Sequence, residues 1–536
     1  MHWIDLSIFI IYMMVMLGVG FFFLRKNKGA DDYYVGGRSM NSFHIGLSVV
    51  ATDVGGGFSI GLGGLGFAIG ISGSWMLFTG LIGAWLSAVF LIPKVKNTKA
   101  FKNFYTFPEI FGSIYSPRVA LLAGIISAIG YIGFTSSQIL AGAKLASGSF
   151  AGLDIETALL IMGGIAVGYT VMGGLKAVVY TDTIQWIILM AGLIFVGIPV
   201  SYFAVGGWDA VVHTLHPELL SLGNISWQEI VNWAITIIPI WFVGMTLYQR
   251  IYACRVEKTA KKAWYIAGVL EWPIMAFMGV SLGLLARIAA DQGMFHYLGT
   301  SNIAQTDPEQ GLPMLLRTVL PVGLMGIMMS AYFSAILSTA DSCLMASSGN
   351  VVSDIIGHFK KLDHESKSFF RLSQIMTLVI GVFSLLLASA MTNVLDLMLA
   401  SYAFMVSGLT IPLIGGLFWK RSNHIAAFWS MIVGGVTTFM LQWNNITISE
   451  ALSRKEVVSR FVELREAVPQ FAEITVKNLS KIEIADKINS AQLIDLFGLY
   501  FHLPFGLDPN IFGITASAIV FFGFGFLLYK KKISNK

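Results

Sequence analysis

Charge is what this sequence has least of. Of its 536 residues only 12% are Asp, Glu, Lys or Arg, against about a quarter in an ordinary soluble domain, so a water-soluble globule is excluded. Cysteine is nearly missing as well. Cys254, beside a basic stretch, and Cys343, in an apolar run, are too few and too differently placed for a disulfide framework or a metal site. There is no His-Glu-x-x-His zinc motif, no nucleophile elbow and no convincing Ser–His pair, which removes the common hydrolase readings and predicts that the chain is not an enzyme. No Lys or Arg precedes the first apolar run, 6–24, whereas Arg25, Lys26 and Lys28 follow it directly. That is the reverse of a cleavable signal peptide, and the run is expected to remain as a first span with the N-terminus outside. No internal repeat, low-complexity tract or appended soluble catalytic domain is present.

What is present is apolar: 55% hydrophobic residues, 13% aromatics and a mean hydropathy of +0.72. The solvent of such a chain is mostly lipid, and an all-α integral membrane protein is expected. A helix needs about 20 apolar residues to cross the hydrocarbon. Runs of that kind lie near 4–24, 43–70, 75–93, 119–149, 155–172, 183–205, 228–247, 264–289, 321–350, 369–391, 394–417, 425–443 and 511–529, predicting 13 transmembrane helices. With the N-terminus outside, Lys and Arg should crowd alternate loops. They do: about 25 of the 35 fall on the inside, in 25–38, 94–102, 250–262, 360–371, 420–421 and 530–536 together with Arg118 and Lys176, while 206–226 and 290–316 hold none. A multi-pass protein of a cell inner membrane with a cytoplasmic C-terminus follows. The net charge of +5 is accounted for by these loops and implies no nucleic acid. The segment 444–508 is polar and balanced in charge, and is expected to form an amphipathic cap on the outer face. Nothing in the sequence sets an oligomeric state.

Three spans break the rules of an apolar helix. The second carries Gly55, Gly56 and Gly57 in succession, each costing a helix about 1 kcal/mol relative to alanine, with Asp53 just before them. A broken membrane helix is tolerated where its freed backbone lines a cavity, and an acid within a span is expensive enough to suggest function. The alternative is close glycine packing with Asp53 as a satisfied polar residue. The seventh span carries Pro239, a second interruption five spans later, and paired interruptions point to an inverted-repeat transporter with its site between them. Trp241 would then face that cavity, unless it is an interfacial anchor. The ninth span is dense in hydroxyls from Ser334 to Ser348. Ser338 and Thr339 could meet the carbonyls of the broken second span as a cage for a hard monovalent cation, or simply bond their own helix.

Several motifs occur in a telling order: Gly36 to Arg38, Ala51 to Val54 with the glycines, Gly173 to Asp182, Tyr248 to Arg250, Ser338 to Ser342 and Gly416 to Arg421. Together they resemble the sodium:solute symporter family, whose members carry proline, sugars, choline, pantothenate, sialic acid and other solutes. The resemblance covers most of residues 4–443. It implies a leucine-transporter-type fold of two inverted five-helix repeats with discontinuous helices. The repeats would be 43–205 and 206–417, preceded by a first span and loop, 1–42, and followed by two C-terminal spans in 418–536. It also implies Na⁺ as the coupling ion, held by backbone carbonyls of Ala51, Val54 and Ala335 and by the hydroxyls of Ser338 and Thr339. Asp53 resembles an acid needed for sodium coupling, and Asp182 one on the inward path where sodium leaves or a second ion binds. Phe58, Gln138, Trp241 and Glu271 correspond to the solute site.

Glu271 departs from the pattern, standing where sugar carriers have a lysine. An acid there suits an amine or amino acid solute such as choline or proline, and the glycines and the Ser-Thr-Ala-Asp stretch resemble those branches. Glu271 could equally be protonated or paired with Lys144. A sugar or carboxylate symporter stays open, as does a channel or solute sensor on the same scaffold, although no kinase domain or repeated filter sequence is present.

Overall fold

The computed structural model describes residues 2–26, 34–150, 152–300, 302–360, 362, 366–452 and 507–534. Regular structure among them is helical, with one isolated bridge between Met40 and Cys254. The principal helices are α1 (Trp3–Lys26), α2 (Ser42–Ile69), α3 (Trp75–Leu86), α4 (Pro117–Ser149), α5 (Ile155–Gly192), α6 (Trp227–Val243) and α7 (Met245–Ala253). They continue with α8 (Glu257–Val269), α9 (Ala276–Asp291), α10 (Pro308–Val319), α11 (Leu324–Gly349), α12 (Lys367–Ser389), α13 (Val394–Phe418), α14 (His424–Leu452) and α15 (Pro509–Ser534). Their starts are written in the sequence. Asn41, Ser116, Asp154, Ser226 and Ser366 each cap the first free N–H groups of the helix that follows.

Among the described residues nine helices are long and apolar enough to cross a bilayer, or ten if α6 and α7, bent by 42° at Gly244, count as one span. The thirteen predicted runs all fall on helices, but not all as separate spans. The fifth and sixth share one helical run from Ile155 to Ala204, with apolar stretches at Ile155–Gly168 and Val178–Ala204. The first run falls on α1, Trp3–Lys26. At the far end α14 runs to Leu452, past the predicted edge at 443, and the rest of the expected outer cap, 453–506, lies outside the described residues.

The layering is that of a protein dissolved in lipid. Phe195 and Phe203 stand 75% and 76% exposed on the outward side, where an apolar surface meets acyl chains. α11 is the opposite case, with every residue buried except Leu324 and Ile327, so its hydroxyls face other helices. α1 lies along it. Asp5 Oδ1 accepts from the N–H groups of Gly323 and Gly326 at the start of α11, and Tyr12 Oη donates to Ser334 Oγ at 2.7 Å.

Candidate functional site

α2 breaks where its glycines lie. Gly55 has φ 48° and ψ −175°, a conformation nearly closed to other residues. A β-carbon placed there would stand 2.6 Å from Thr339 Oγ1 and 3.1 Å from Gln138 Oε1, and one on Gly56 would overlap Ile336. The glycines therefore let the backbone of α2 close onto α11 and α4. Across this contact Thr339 Oγ1 donates to Ala51 O at 2.8 Å and lies 3.3 Å from Ala335 O, while Ser338 Oγ donates to Ala335 O at 3.1 Å. Four of the five predicted sodium ligands thus gather in one place, all of them uncharged oxygens suited to a hard monovalent ion. Val54 lies on the same helix; its side chain and that of Phe58 lie outside the described residues. Gln138 closes the break from α4, with its amide also donating to Ser137 Oγ at 3.3 Å.

One turn toward the N-terminal end of α2 lies a buried polar network. Asp182 accepts from Ser48 Oγ and stands 3.6 Å from Arg250 Nη2. Arg250, which the charge count placed among the basic residues of an inside loop, is fully buried instead. Its guanidinium donates to Ser48 Oγ, Thr52 Oγ1, Ser342 Oγ and the carbonyls of Ser48 and Thr246. The reason is that α7 carries the residue inward past the bend at Gly244, and a desolvated guanidinium needs its donors satisfied. The second interruption accordingly lies at Gly244, not at Pro239, which sits inside α6. Thr246 N–H, freed by the bend, donates to Tyr131 Oη at 3.1 Å.

Asp53 and Glu271 are both buried. Glu271 lies in a π turn, Leu270–Met275, between α8 and α9, next to the non-helical Trp272. No donor among the described residues reaches either oxygen of Glu271 or Oδ2 of Asp53. α3 presses on the same region with a face of small residues. β-carbons on Gly80 and Gly83 would stand 2.1 Å from Glu271 Oε2 and 2.5 Å from Trp241 Cδ1. Trp241 is buried, packed edge-on against Trp264 at 6.3 Å, and its indole N–H has no acceptor among the described residues. The pairing of Glu271 with Lys144 is not found. Lys144 Nζ instead bonds Asp307 at 2.8 Å and Glu309 at 2.7 Å, and Glu309 also caps α13 through the N–H groups of Val394 and Leu395.

Two residues escaped sequence reasoning. Asp341 accepts from Thr170 Oγ1 on α5, its second oxygen has no donor among the described residues, and it borders a cavity of about 10 Å³ with Ser338, Thr181, Gln185, Met13 and Met16. Its signal was present, an acid inside an apolar span. The role of Arg250 had a weaker one, the apolar Ile251, Tyr252 and Ala253 that follow it.

The fold recurs in solved structures. A Na⁺-coupled sialic acid symporter in a substrate-bound, outward-open state superposes with a TM-score of 0.70 at 20% identity, over 98% of both chains. The nucleobase-cation symporter Mhp1 in a closed conformation matches at 0.51 and 14% identity, over 76% of this chain and 89% of that one. Among sequences, the high-affinity proline transporter PutP of Bacillus subtilis is 29% identical over 452 residues, covering 82% of this chain and 91% of its own length. The sodium/proline symporter of Escherichia coli is 28% identical over 443 residues, covering 81% and 86%. Sodium/glucose cotransporter 1 of Oryctolagus cuniculus is 27% identical over 480 residues, covering 80% and 70%. The Sodium:solute symporter family profile matches residues 33–434, most of the chain, and the chain belongs to that family of sodium-coupled transporters.

Proposed function

We propose that this sodium-coupled symporter imports a small organic solute carrying an amine, an amino acid such as proline or an amine such as choline, by alternating access across a cell inner membrane. Sodium binds between Ala51, Val54, Ala335, Ser338 and Thr339. The observation that carries this reading is the hydrogen bond from Thr339 to Ala51, which joins α11 to the broken α2 through the atoms a sodium ion would bridge. A cation there ties two helices of opposite repeats together, and so favours one arrangement of the repeats over the other. Asp53 couples this site to the solute site two residues beyond the carbonyl of Ala51, and Asp182 lies on the inward path of the ion.

The solute site in this reading is bounded by Phe58, Gln138, Trp241 and Glu271. The repeats are 43–205 and 206–417, flanked by 1–42 and 418–536, with the N-terminus outside and the C-terminus cytoplasmic. Amine relatives support the solute class, as does an acid where sugar carriers have a lysine. The chain performs transport and no bond-making chemistry.

The test is uptake into proteoliposomes. Accumulation of labelled proline or choline above its outside concentration under an inward sodium gradient, lost when sodium is replaced by potassium, is the expected result. Equilibration without accumulation would make the protein a channel. Accumulation of a sugar or carboxylate in place of any amine would overturn the solute class and leave sodium coupling in place.

A further inference from the structure

The positive-inside bias accounts for Lys and Arg in alternate loops but requires no cleft to hold them. The helical run that continues α3 to Asn97, the loop after it and the start of α8 enclose a cleft of about 910 Å³ lined by Lys96, Lys102, Arg255, Lys258, Lys261 and Lys262. A single acid, Glu257, lines it with them, and it is already engaged by Lys261 at 2.8 Å and by the amide of Asn97 at 2.8 Å. Among the described residues no acid pairs with Lys102, Arg255, Lys258 or Lys262. Other basic residues of the loops are differently placed: Lys94 and Arg421 lie over the rings of Phe418 and Phe526. The walls of the cleft are tied together. Lys96 Nζ donates to Cys254 O at 2.5 Å and to Ile251 O at 3.4 Å, which fixes the end of the α3 run against the turn between α7 and α8.

One face of α8 passes from charge to hydrocarbon. Lys258, Lys262, Tyr265 and Val269 recur at helical spacing, with Tyr265 at the edge of the cleft and Val269 exposed beyond it. Tyr265 meets Trp85 edge-on at 6.1 Å, and Trp85, Val89 and Phe90 are exposed along the neighbouring run. Tyr and Trp gather at the level of lipid headgroups, and basic hollows beside membrane helices suit anionic ones. A soluble anion would use the cations and leave the apolar strip idle. A phosphate with acyl chains attached uses both.

We propose that this cleft holds the headgroup of an anionic phospholipid of the adjoining leaflet, its phosphate among Arg255, Lys258 and Lys262 and its acyl chains along Tyr265, Trp85 and Val269. The inference needs only that the chain spans a membrane and is independent of the solute carried. Because 96–102 and 255–265 are remote in the chain, a headgroup between them bridges two parts of the fold and stabilises it by binding the folded state alone.

Native mass spectrometry of the purified full-length protein, titrated with dioleoylphosphatidylglycerol in mild detergent, reads occupancy directly. Wild type should hold a single tightly bound lipid, and dioleoylphosphatidylethanolamine should not displace it. Arg255→Gln/Lys258→Gln/Lys262→Gln should weaken that binding about 100-fold. Lys360→Gln/Arg371→Gln/Lys420→Gln, an equal loss of charge from other loops, should leave it nearly unchanged. Equal weakening in both variants would make the attraction a general one and overturn the site. Displacement of the lipid by inorganic phosphate or glycerol 3-phosphate at comparable concentration would make the cleft a soluble-anion site and overturn the lipid. Phosphatidylglycerol with a photoreactive headgroup tests the site on wild type, without any variant. It should label 85–102 and 255–269, and labelling confined to other segments overturns the proposal. None of these readouts involves solute or sodium, so their failure leaves the transport reading intact, and failure of sodium-driven uptake leaves the cleft untouched.

Discussion

Gly55→Ala is the most searching perturbation of the proposed sodium site, because it alters no ligand. The φ of 48° with ψ near 180° is a conformation an alanine enters at about 1–3 kcal/mol. The new β-carbon would also stand 2.6 Å from Thr339 Oγ1 and 3.0 Å from Thr339 Cγ2, closer than such contacts allow. Thr339 must then rotate or α11 must retreat, at a further cost of about 1–3 kcal/mol. Either way its hydroxyl leaves Ala51 O, and the ion loses an oxygen. A bond from a polar group to a charge contributes about 1.5–3 kcal/mol, which corresponds to a rise of about 10- to 150-fold in the sodium concentration for half-maximal uptake. The assay is uptake against sodium concentration in reconstituted vesicles, with thermal unfolding in detergent as the control for folded protein. The cycle with Thr339→Ala sharpens it. Once Gly55→Ala has displaced the hydroxyl, removing it should add little, so the two effects should be strongly non-additive. Wild-type sodium dependence in Gly55→Ala, or full additivity with Thr339→Ala, would refute the placing of sodium at this break.

Thr339→Ala alone should raise the half-maximal sodium concentration about tenfold, and Thr339→Ser, which keeps the oxygen, far less, as read from the same uptake curves. Arg250→Met should destabilise the protein by about 3–5 kcal/mol in detergent unfolding because Asp182 is left buried and unpaired, and adding Asp182→Asn should recover part of the loss. Lys144→Met should lower thermal stability more than Asp307→Asn does, since Glu309 is buried while Asp307 is 37% exposed at its side chain. Trp241→Phe should weaken solute affinity less than Trp241→Ala, with sodium affinity nearly unmoved in both, as measured by separate solute and sodium titrations.

The helical class and the place of the first break were both legible in the sequence because each depends on local chemistry. Gly55 to Gly57 announce a break wherever they sit in an apolar run, and the contact from Thr339 to Ala51 could be expected from oxygen chemistry and resemblance together. What escaped depends on where a side chain travels after the backbone turns. Arg250 reads as a loop cation in one dimension, and only the bend at Gly244 and the converging hydroxyls of α2 and α11 make it an interior residue. Pro239 looked like the interruption because proline removes a donor, yet the chain bends five residues later, where Gly244 packs near Tyr131. The partner of Lys144 was equally out of reach. Its choice between Glu271 and the acids of 307–309 is decided by which end of α4 it occupies, and that is the C-terminal end.

α1 is joined to α11 at both ends of their contact, by the Asp5 carboxylate at the start of α11 and by Tyr12 against Ser334 farther along. Those bonds make the first helix a splint on the segment that carries Ser338 and Thr339. If α11 tilts between outward and inward states, α1 must tilt with it or surrender two backbone caps, so the boundary of the moving body lies outside the ten-helix repeat unit. Asp5, on a helix that holds none of the proposed solute contacts, then holds the stiffness of the proposed ion-binding segment, and the lipid against α1 becomes part of the load the sodium ion has to move.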